Sequence, residues 1–408
     1  MNPPIAIYVH LPWCVRKCPY CDFNSHARPD VLPEPEYVAA LLADLEDDLD
    51  LAAGRPVASV FLGGGTPSLF GVDAIAALLN GLAARLPFLP DAEITMEANP
   101  GTIEHGRFAG YAQAGINRVS LGAQSFDAAS LAVLGRIHGP AEIGAAAREL
   151  VAAGLTNFNL DLMYALPQQS HAAALADLDA AIALGPAHLS HYQLTLEPGT
   201  PFYHRPPALP DDDAALEMQL ACQARLADAG YAQYEVSGYA RPGRQCRHNL
   251  NYWRFGDYLG IGAGAHGKAT VAGQVLRTEK PRSPREYLRG AGRAGRQRRV
   301  VPGRELPFEF MLNVLRLVEG FTLADFERAT GLPAASVRQP LAAQAARGLI
   351  EERDGSFRPS PTGFRFLNDL IAAFLPEENP RRGPGELYTA PSRFVSDRDF
   401  HHFVSEVP

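Results

Sequence analysis

The chain has 408 residues, with 37 Lys and Arg against 45 Asp and Glu, a formal net charge of −8, and 47% apolar residues. That length accommodates one barrel-sized domain and a smaller one, and the apolar fraction supports a globular core. The negative balance argues against duplex nucleic acid as the main partner, because binding a phosphate backbone needs a basic footprint.

Strand-like runs are expected at Ile5–Leu11, Val57–Leu62, Glu93–Glu97, Arg118–Leu121, Asn157–Tyr164 and His188–Leu196. Helical spacing lies between them at Pro35–Ala53, Ala74–Leu86, Ile103–Ala114, Ala141–Ala153 and Ala172–Leu184. Six such alternations predict a parallel sheet with helical crossovers. Periodicity does not separate an open sheet from a barrel. Ala214–Ala229 reads as a further helix, followed by Tyr234–Tyr239 and a Gly-rich stretch, Leu259–His266. Arg277–Arg304 carries ten Lys and Arg against two Asp and Glu, and reads as a solvated linker, with anion binding as the second choice. From Glu305 onward, helices are expected at Pro307–Val318, Leu323–Thr330 and Ala334–Arg347, then a hairpin at Ile350–Arg358 and a last helix at Thr362–Phe374. That order resembles a winged-helix module, expected to act as a lid or docking module at the barrel opening. Over Glu305–Leu375 seven basic residues face nine acidic ones, which does not favour DNA. The expected division is 1–240, 241–304, 305–375 and a loose tail from 376 to 408.

Cys14, Cys18 and Cys21 follow the first strand, spaced by three and then two residues, and only Cys222 and Cys246 remain elsewhere. Thiolates suit iron–sulfur clusters and zinc alike. A structural zinc usually takes four ligands, and three clustered thiols cannot all pair as disulfides. A 4Fe-4S cluster with one open iron is therefore the first expectation, zinc the second and a disulfide the third. The other unusual residues also fall at strand ends: Gly63–Pro67 after the second strand, Glu97–Pro100 after the third, Gln124 after the fourth. Asp161 sits within the apolar fifth strand, where a charge is costly unless bonded. Gly63–Pro67 lacks the Lys-Ser/Thr ending of a phosphate loop, and alone reads as a tight turn.

The string Tyr8-Val-His-Leu-Pro-Trp-Cys, with Cys-Pro-Tyr-Cys-Asp-Phe23, resembles the radical S-adenosylmethionine (SAM) superfamily. Within it, the chain is similar to the group holding the oxygen-independent coproporphyrinogen III oxidase and the heme chaperones, from about Ile5 to about Leu375. The resemblance implies an incomplete (β/α)6 barrel with a C-terminal winged-helix-like domain, and cofactor chemistry at the strand C-terminal ends. It implies that Cys14, Cys18 and Cys21 hold the cluster and that Tyr8, Gly64, Gly65, Thr66, Glu97, Gln124, Arg136 and Asp161 bind SAM. Arg136 is the weakest of these, since an Arg on a helix surface needs no explanation.

His248-Asn-Leu-Asn-Tyr-Trp253 matches a motif that heme chaperones of this group associate with heme. It makes His248 the expected axial ligand, with Tyr252 and Trp253 packing on the porphyrin and Cys246 as an alternative ligand. For an arbitrary sequence, a packed, hydrogen-bonded corner would be the plainer expectation. His10 and His266 are expected as hydrogen-bonded groups near the barrel mouth.

The function implied is a heme chaperone that passes heme to acceptor hemoproteins, respiratory ones included. The alternative is a radical SAM enzyme that dehydrogenates and decarboxylates a porphyrinogen. Phe23 stands where the oxidase has a fourth Cys, and Met1 lies only four residues before the first strand, whereas the oxidase has an N-terminal extension there. Both departures favour the chaperone. No secretory signal is visible in Met1-Asn-Pro-Pro, no apolar run reaches membrane-spanning length, and scarce cysteine suits a reducing compartment, so the expected location is the cytoplasm. The sequence leaves a homodimer open.

Overall fold

The structure is a computed structural model and describes residues 3–101, 106–290 and 295–376. Six strands form the frame: β1 Ile5–Leu11, β2 Val57–Gly64, β3 Phe88–Ala98, β4 Arg118–Gln124, β5 Phe158–Tyr164 and β6 His188–Gln193. They pair in parallel in chain order, each with the next. The crossovers include helices α1 Glu34–Asp47, α2 Val72–Ala83, α3 Phe108–Ala114, α4 Pro140–Ala152 and α5 His171–Ala183. The chain order of the strands is that of a βα barrel, but β1 and β6 do not close on each other. Beyond β6 come the antiparallel strands β7 Ala232–Gln233 and β8 Gly238–Ala240, while β1 takes β9 Tyr258–Ile261 in parallel on its other side. Strands β10 His266–Val271, β11 Gln274–Glu279 and β12 Gln297–Val300 continue from β9 as an antiparallel meander. The result is one sheet of twelve strands that forms an incomplete barrel.

Alternation along the strands assigns the two faces. Ile7, Val9, Val60, Leu62, Met96, Val119, Leu121, Leu160 and Leu189 point outward and share the main core with the helices. The inner face is mostly polar, with Glu97, Ser120, Asp161 and Ser190 alongside Tyr8 and Phe61. A barrel filled only for stability carries branched apolar layers inside. Here polar groups take those positions, which suits a chamber for a polar ligand.

Two expectations are corrected. The stretch from 241 to 304, read as a linker, contributes four strands to the main sheet, and its basic residues are not simply solvated. The Lys280 ammonium is fully buried, bonded to Asp44 and, at 2.6 Å, to Asp48. Arg298 reaches Asp48 at 2.9 Å and Asp50 at 2.7 Å. Acidic groups at the C-terminal end of α1 are unfavourable beside its dipole, and this cationic strand offsets them.

The second correction concerns the C-terminal module. Helices Leu306–Val314, Leu323–Thr330 and Ala335–Ala346 and strands β13 Phe321–Thr322, β14 Ile350–Arg353 and β15 Ser356–Pro359 give the winged-helix-like arrangement around its own core. It does not cap the mouth. The Arg316 guanidinium lies 4.4 Å from the Trp253 ring centroid, and Val318 N–H donates to Tyr234 O at 3.0 Å, so it docks against the opposite, floor side of the barrel. Most of the helix expected from Ile103 is observed as α3, while residues 102–105, 291–294 and the segment read as a tail beyond Pro376 lie outside the described residues.

Candidate functional site

The cysteine loop leaves β1 at the mouth of the barrel. Its three thiols are half-buried, and all five cysteines of the chain are free, which removes the disulfide reading. Asn24 ties the loop to the far side of the sheet, donating from Nδ2 to Ala263 O and Arg282 O at 2.9 Å each. Lys17 Nζ donates to Phe23 O at 2.9 Å and braces it from within.

Two of the cysteines are joined by a hydrogen-bonded bridge. Thr66 Oγ1 donates to Cys14 Sγ at 3.5 Å and accepts from Asn99 Nδ2 at 2.9 Å. Asn99 Oδ1 in turn accepts from Arg136, whose Nη1 donates to Cys18 Sγ at 3.7 Å. Arg136 also donates to Gly122 O at 2.8 Å, so this residue, the weakest of the expected SAM ligands, is tied into the barrel mouth rather than lying idle on a helix surface. Asn99 was passed over in the sequence, although it stands in the noted Glu97–Pro100 string. Cys21 Sγ faces Ser25 Oγ at 3.8 Å. Burial pushes the Cys14 thiol up and the Cys21 thiol up to about 11. A bound metal would override this, because it deprotonates its thiol ligands.

The glycine loop meets the cysteine loop through its backbone. Gly65 N–H donates to Leu11 O and Thr66 N–H to Trp13 O, each at 2.8 Å. Gly64 has φ +106° and faces the His10 ring, so a side chain is excluded there by the protein itself. The nearest reason for a glycine there is therefore the His10 ring rather than room for a ligand. His10 is buried and bonded to Tyr8 Oη and to Asn24 O, at 3.0 Å each, and burial brings its pKa down to about 4.

Glu97 accepts from Gly64 N–H at 3.1 Å. Burial, with the Asp161 charge nearby, pushes its pKa up to about 8. Asp161 is also raised by burial, although it accepts from Asn159 Nδ2 at 2.7 Å and Ser120 Oγ at 3.2 Å. Gln124 ends β4 with φ +68°, a strained value for a residue with a side chain, and its Oε1 accepts from Tyr192 Oη at 2.7 Å. Tyr8, Gly64, Gly65, Thr66, Glu97, Gln124, Arg136 and Asp161 thus lie on the inner face or the mouth of one barrel.

The remaining motif goes elsewhere. The helix Arg247–Trp253 packs under the N-terminal ends of the strands. The Glu93 carboxylate accepts from the backbone N–H of His248 at 3.1 Å and of Arg247 at 3.2 Å. His248 is fully buried, its Nδ1 bonded to Ser59 Oγ and its Nε2 to Tyr252 Oη at 2.9 Å each, and its ring stacks on Phe61. Burial brings its pKa down to about 3. Tyr252 packs edge-on to Tyr258, and Trp253 lies beneath Arg316. Cys246 is likewise enclosed. Both nitrogens of His248 are engaged, so neither faces an incoming iron. The expected heme residues His248, Tyr252 and Trp253 form a structural plug in the barrel floor.

The residues present fit the group that the cysteines imply. Three free thiols stand at the mouth, two of them receive O–H or N–H donors, and the adjoining loop presents backbone rather than side chains. Among the described residues no three His, Cys, Asp or Glu side chains gather around a single-ion position. A cubane spreads its thiolates over separate irons, so its ligands need not converge on one point.

This fold and site define the class: a partial βα barrel with three mouth cysteines and a glycine loop. The model of the radical SAM superfamily matches residues 8–181, and that of the HemN C-terminal domain matches residues 301–366. The chain is 52% identical over 376 residues to a protein called heme chaperone HemW from Escherichia coli K12, covering 92% of this chain and 99% of that one. It is 48% identical to a protein of the same name from Haemophilus influenzae, covering 92% and 99%. Coproporphyrinogen III oxidase from Escherichia coli, a radical SAM enzyme, shares the fold with a TM-score of 0.77, 22% identity and coverage of 91% and 90%. The chain belongs to the HemW family within the radical SAM superfamily. Among the described residues no helix is long and apolar enough to cross a membrane.

Proposed function

We propose that this protein is a heme chaperone, binding heme and passing it to acceptor hemoproteins, with a SAM-ligated 4Fe-4S cluster at the barrel mouth. The observation that carries the reading is the 52% identity across nearly the whole chain to a protein named for that activity.

Cys14, Cys18 and Cys21 would hold the cluster, which supplies an electron site and an open iron for SAM. Thr66 and Arg136 direct donors at two of the sulfurs, and such bonds offset thiolate charge and tune the potential of a cluster. Gly64, Gly65 and Thr66 would present backbone to the SAM amino group, with Glu97 as its charge partner. Asp161 would accept from ribose hydroxyls, an arrangement supported by its setting among neutral donors. Gln124, Tyr8 and Arg136 would complete the pocket. A reducing compartment such as the cytoplasm would keep the thiols available.

His248 holds the floor of the barrel in this conformation, and as the axial ligand to heme it would have to give up its bond to Ser59 or to Tyr252. Following the Soret band during heme titration of the anaerobic, cluster-loaded protein tests the reading. Saturable binding, with transfer to an apo-hemoprotein, is expected. Absence of binding, or decarboxylation of coproporphyrinogen by the purified protein, would overturn it.

A further inference from the structure

Asn99 comes directly after β3, half-buried at the barrel mouth. Its side chain is not spent on the turn there, because backbone closes that turn: Gly101 N–H donates to Asn99 O at 2.8 Å. The amide instead spans two residues that lie far apart in the chain, Thr66 and Arg136. A guanidinium has donors and no acceptor, so the Asn99 atom that faces it must be the carbonyl oxygen. That fixes the amide: Nδ2 is left to face Thr66, and it donates to the hydroxyl at 2.9 Å. A hydroxyl that accepts from an amide keeps its single proton for another partner, here Cys14 Sγ at 3.5 Å. The second limb is equally directed. Arg136 Nη2 is held by Asn99 Oδ1 and by Gly122 O, the latter at 2.8 Å, which leaves Nη1 for Cys18 Sγ at 3.7 Å. A Cβ on Gly122 would lie 3.1 Å from Arg136 Nη2 and 3.2 Å from Asn99 Oδ1, so this corner is already filled. Cys21 stands outside the bridge, with Ser25 Oγ as its neighbour at 3.8 Å.

We propose that Asn99 is a positioning residue for the cluster: one amide sets the polarity of the donors at two of its three thiolate ligands. The inference rests on the proposed cluster at Cys14, Cys18 and Cys21. Asn99 acts on the sulfurs through Thr66 and Arg136, the two side chains it holds. Donors on thiolates offset negative charge and favour the reduced cluster, so the amide raises the potential. Aspartate at this position has the same shape but two acceptor oxygens. It would keep the bond from Arg136 and accept from Thr66 as well, turning the hydroxyl proton away from Cys14.

Anaerobic redox titration of the cluster-loaded protein, followed by the electron paramagnetic resonance of the reduced cluster, tests this. Asn99→Leu frees both donors and makes the potential more negative, by about tenfold in the reduction equilibrium or about 59 mV for one electron. In a Thr66→Val/Arg136→Met background the same substitution adds no further shift, because the residues it acts through are gone. Asn99→Asp also lowers the potential, and by less in a Thr66→Val background than in wild type, since only the added charge remains there. A general loosening of the loop would shift the triple variant as far as the single one. A charge effect alone would make Asn99→Asp equal in the two backgrounds. Either result overturns the inference, as does an unmoved potential in Asn99→Leu. If Asn99→Leu fails to fold or to hold a cluster, the Asn99→Asp comparison decides alone. A wild-type protein that takes up no cluster overturns the cofactor reading and this inference together, whereas a loaded cluster with the wrong pattern of shifts overturns this inference only.

Discussion

Gly64 stands against the imidazole of His10: a methyl group there would lie 2.4 Å from His10 Cε1. The backbone at Gly64 is also left-handed, with φ +106°. Gly64→Ala is therefore expected to cost roughly 2–3 kcal/mol by combined strain and clash, and to loosen the loop that carries Thr66. Gly54→Ala is the control, since it has φ +70° but nothing within 4 Å, and should cost only about 1 kcal/mol. Urea unfolding of both variants checks the difference.

Lys280 bonds both Asp44 and Asp48 at a fully buried position. Lys280→Met would leave the buried Asp44 carboxylate without a cation, with Asp48 still held by Arg298, and should destabilise the protein by about 3–5 kcal/mol. Restoring neutrality with Asp44→Asn in the same chain should recover part of that loss. The double-mutant cycle, read by denaturant midpoints, measures the coupling.

Glu97 sets a pH dependence. Its pKa in the fold is about 8, raised first by burial, above the ordinary value of 4.5. Between those values the folded state holds a proton that the unfolded state has released, so stability falls as pH rises through the window. Glu97→Gln should remove this penalty, gaining on the order of 2 kcal/mol at the alkaline end and little at the acid end. Unfolding of the cluster-free protein at both ends tests the sign.

His248→Ala should behave as a core deletion. It removes bonds to Ser59 and Tyr252 and opens a cavity beside Phe61, with an expected cost of about 2–4 kcal/mol. Any loss of heme binding should then track the loss of folded protein. A variant that stays fully folded by unfolding measurements and yet loses the Soret titration would restore His248 as a ligand.

Thr66→Val removes the hydroxyl that donates to Cys14 Sγ while keeping its volume. With fewer donors on a thiolate, the potential of a bound cluster should become more negative, and Arg136→Met should act in the same direction through Cys18. Anaerobic redox titration of the cluster-loaded variants gives the answer. Unchanged potentials would remove both residues from the cluster's surroundings.

The sequence by itself determined what depends on neighbours along the chain. The strand of Ile5–Leu11 is observed as expected, because seven apolar or aromatic-rich residues can be read without knowing their partners. The thiol spacing and the helix at Leu323–Thr330 were equally local, the latter set by the Thr322 and Asp325 capping pair. Tertiary structure alone decided the rest. Arg136 reaches Cys18 across 118 positions, and Lys280 reaches Asp44 across 236, separations that no periodicity encodes. The same limit left the place of the His248 motif open. Its residue types allowed either a ligand or a buried corner, and the choice followed from which end of the barrel the helix covered. Side-chain chemistry fixes what a group can bond to, but burial and distance select the partner, and both exist only once the sheet has curled.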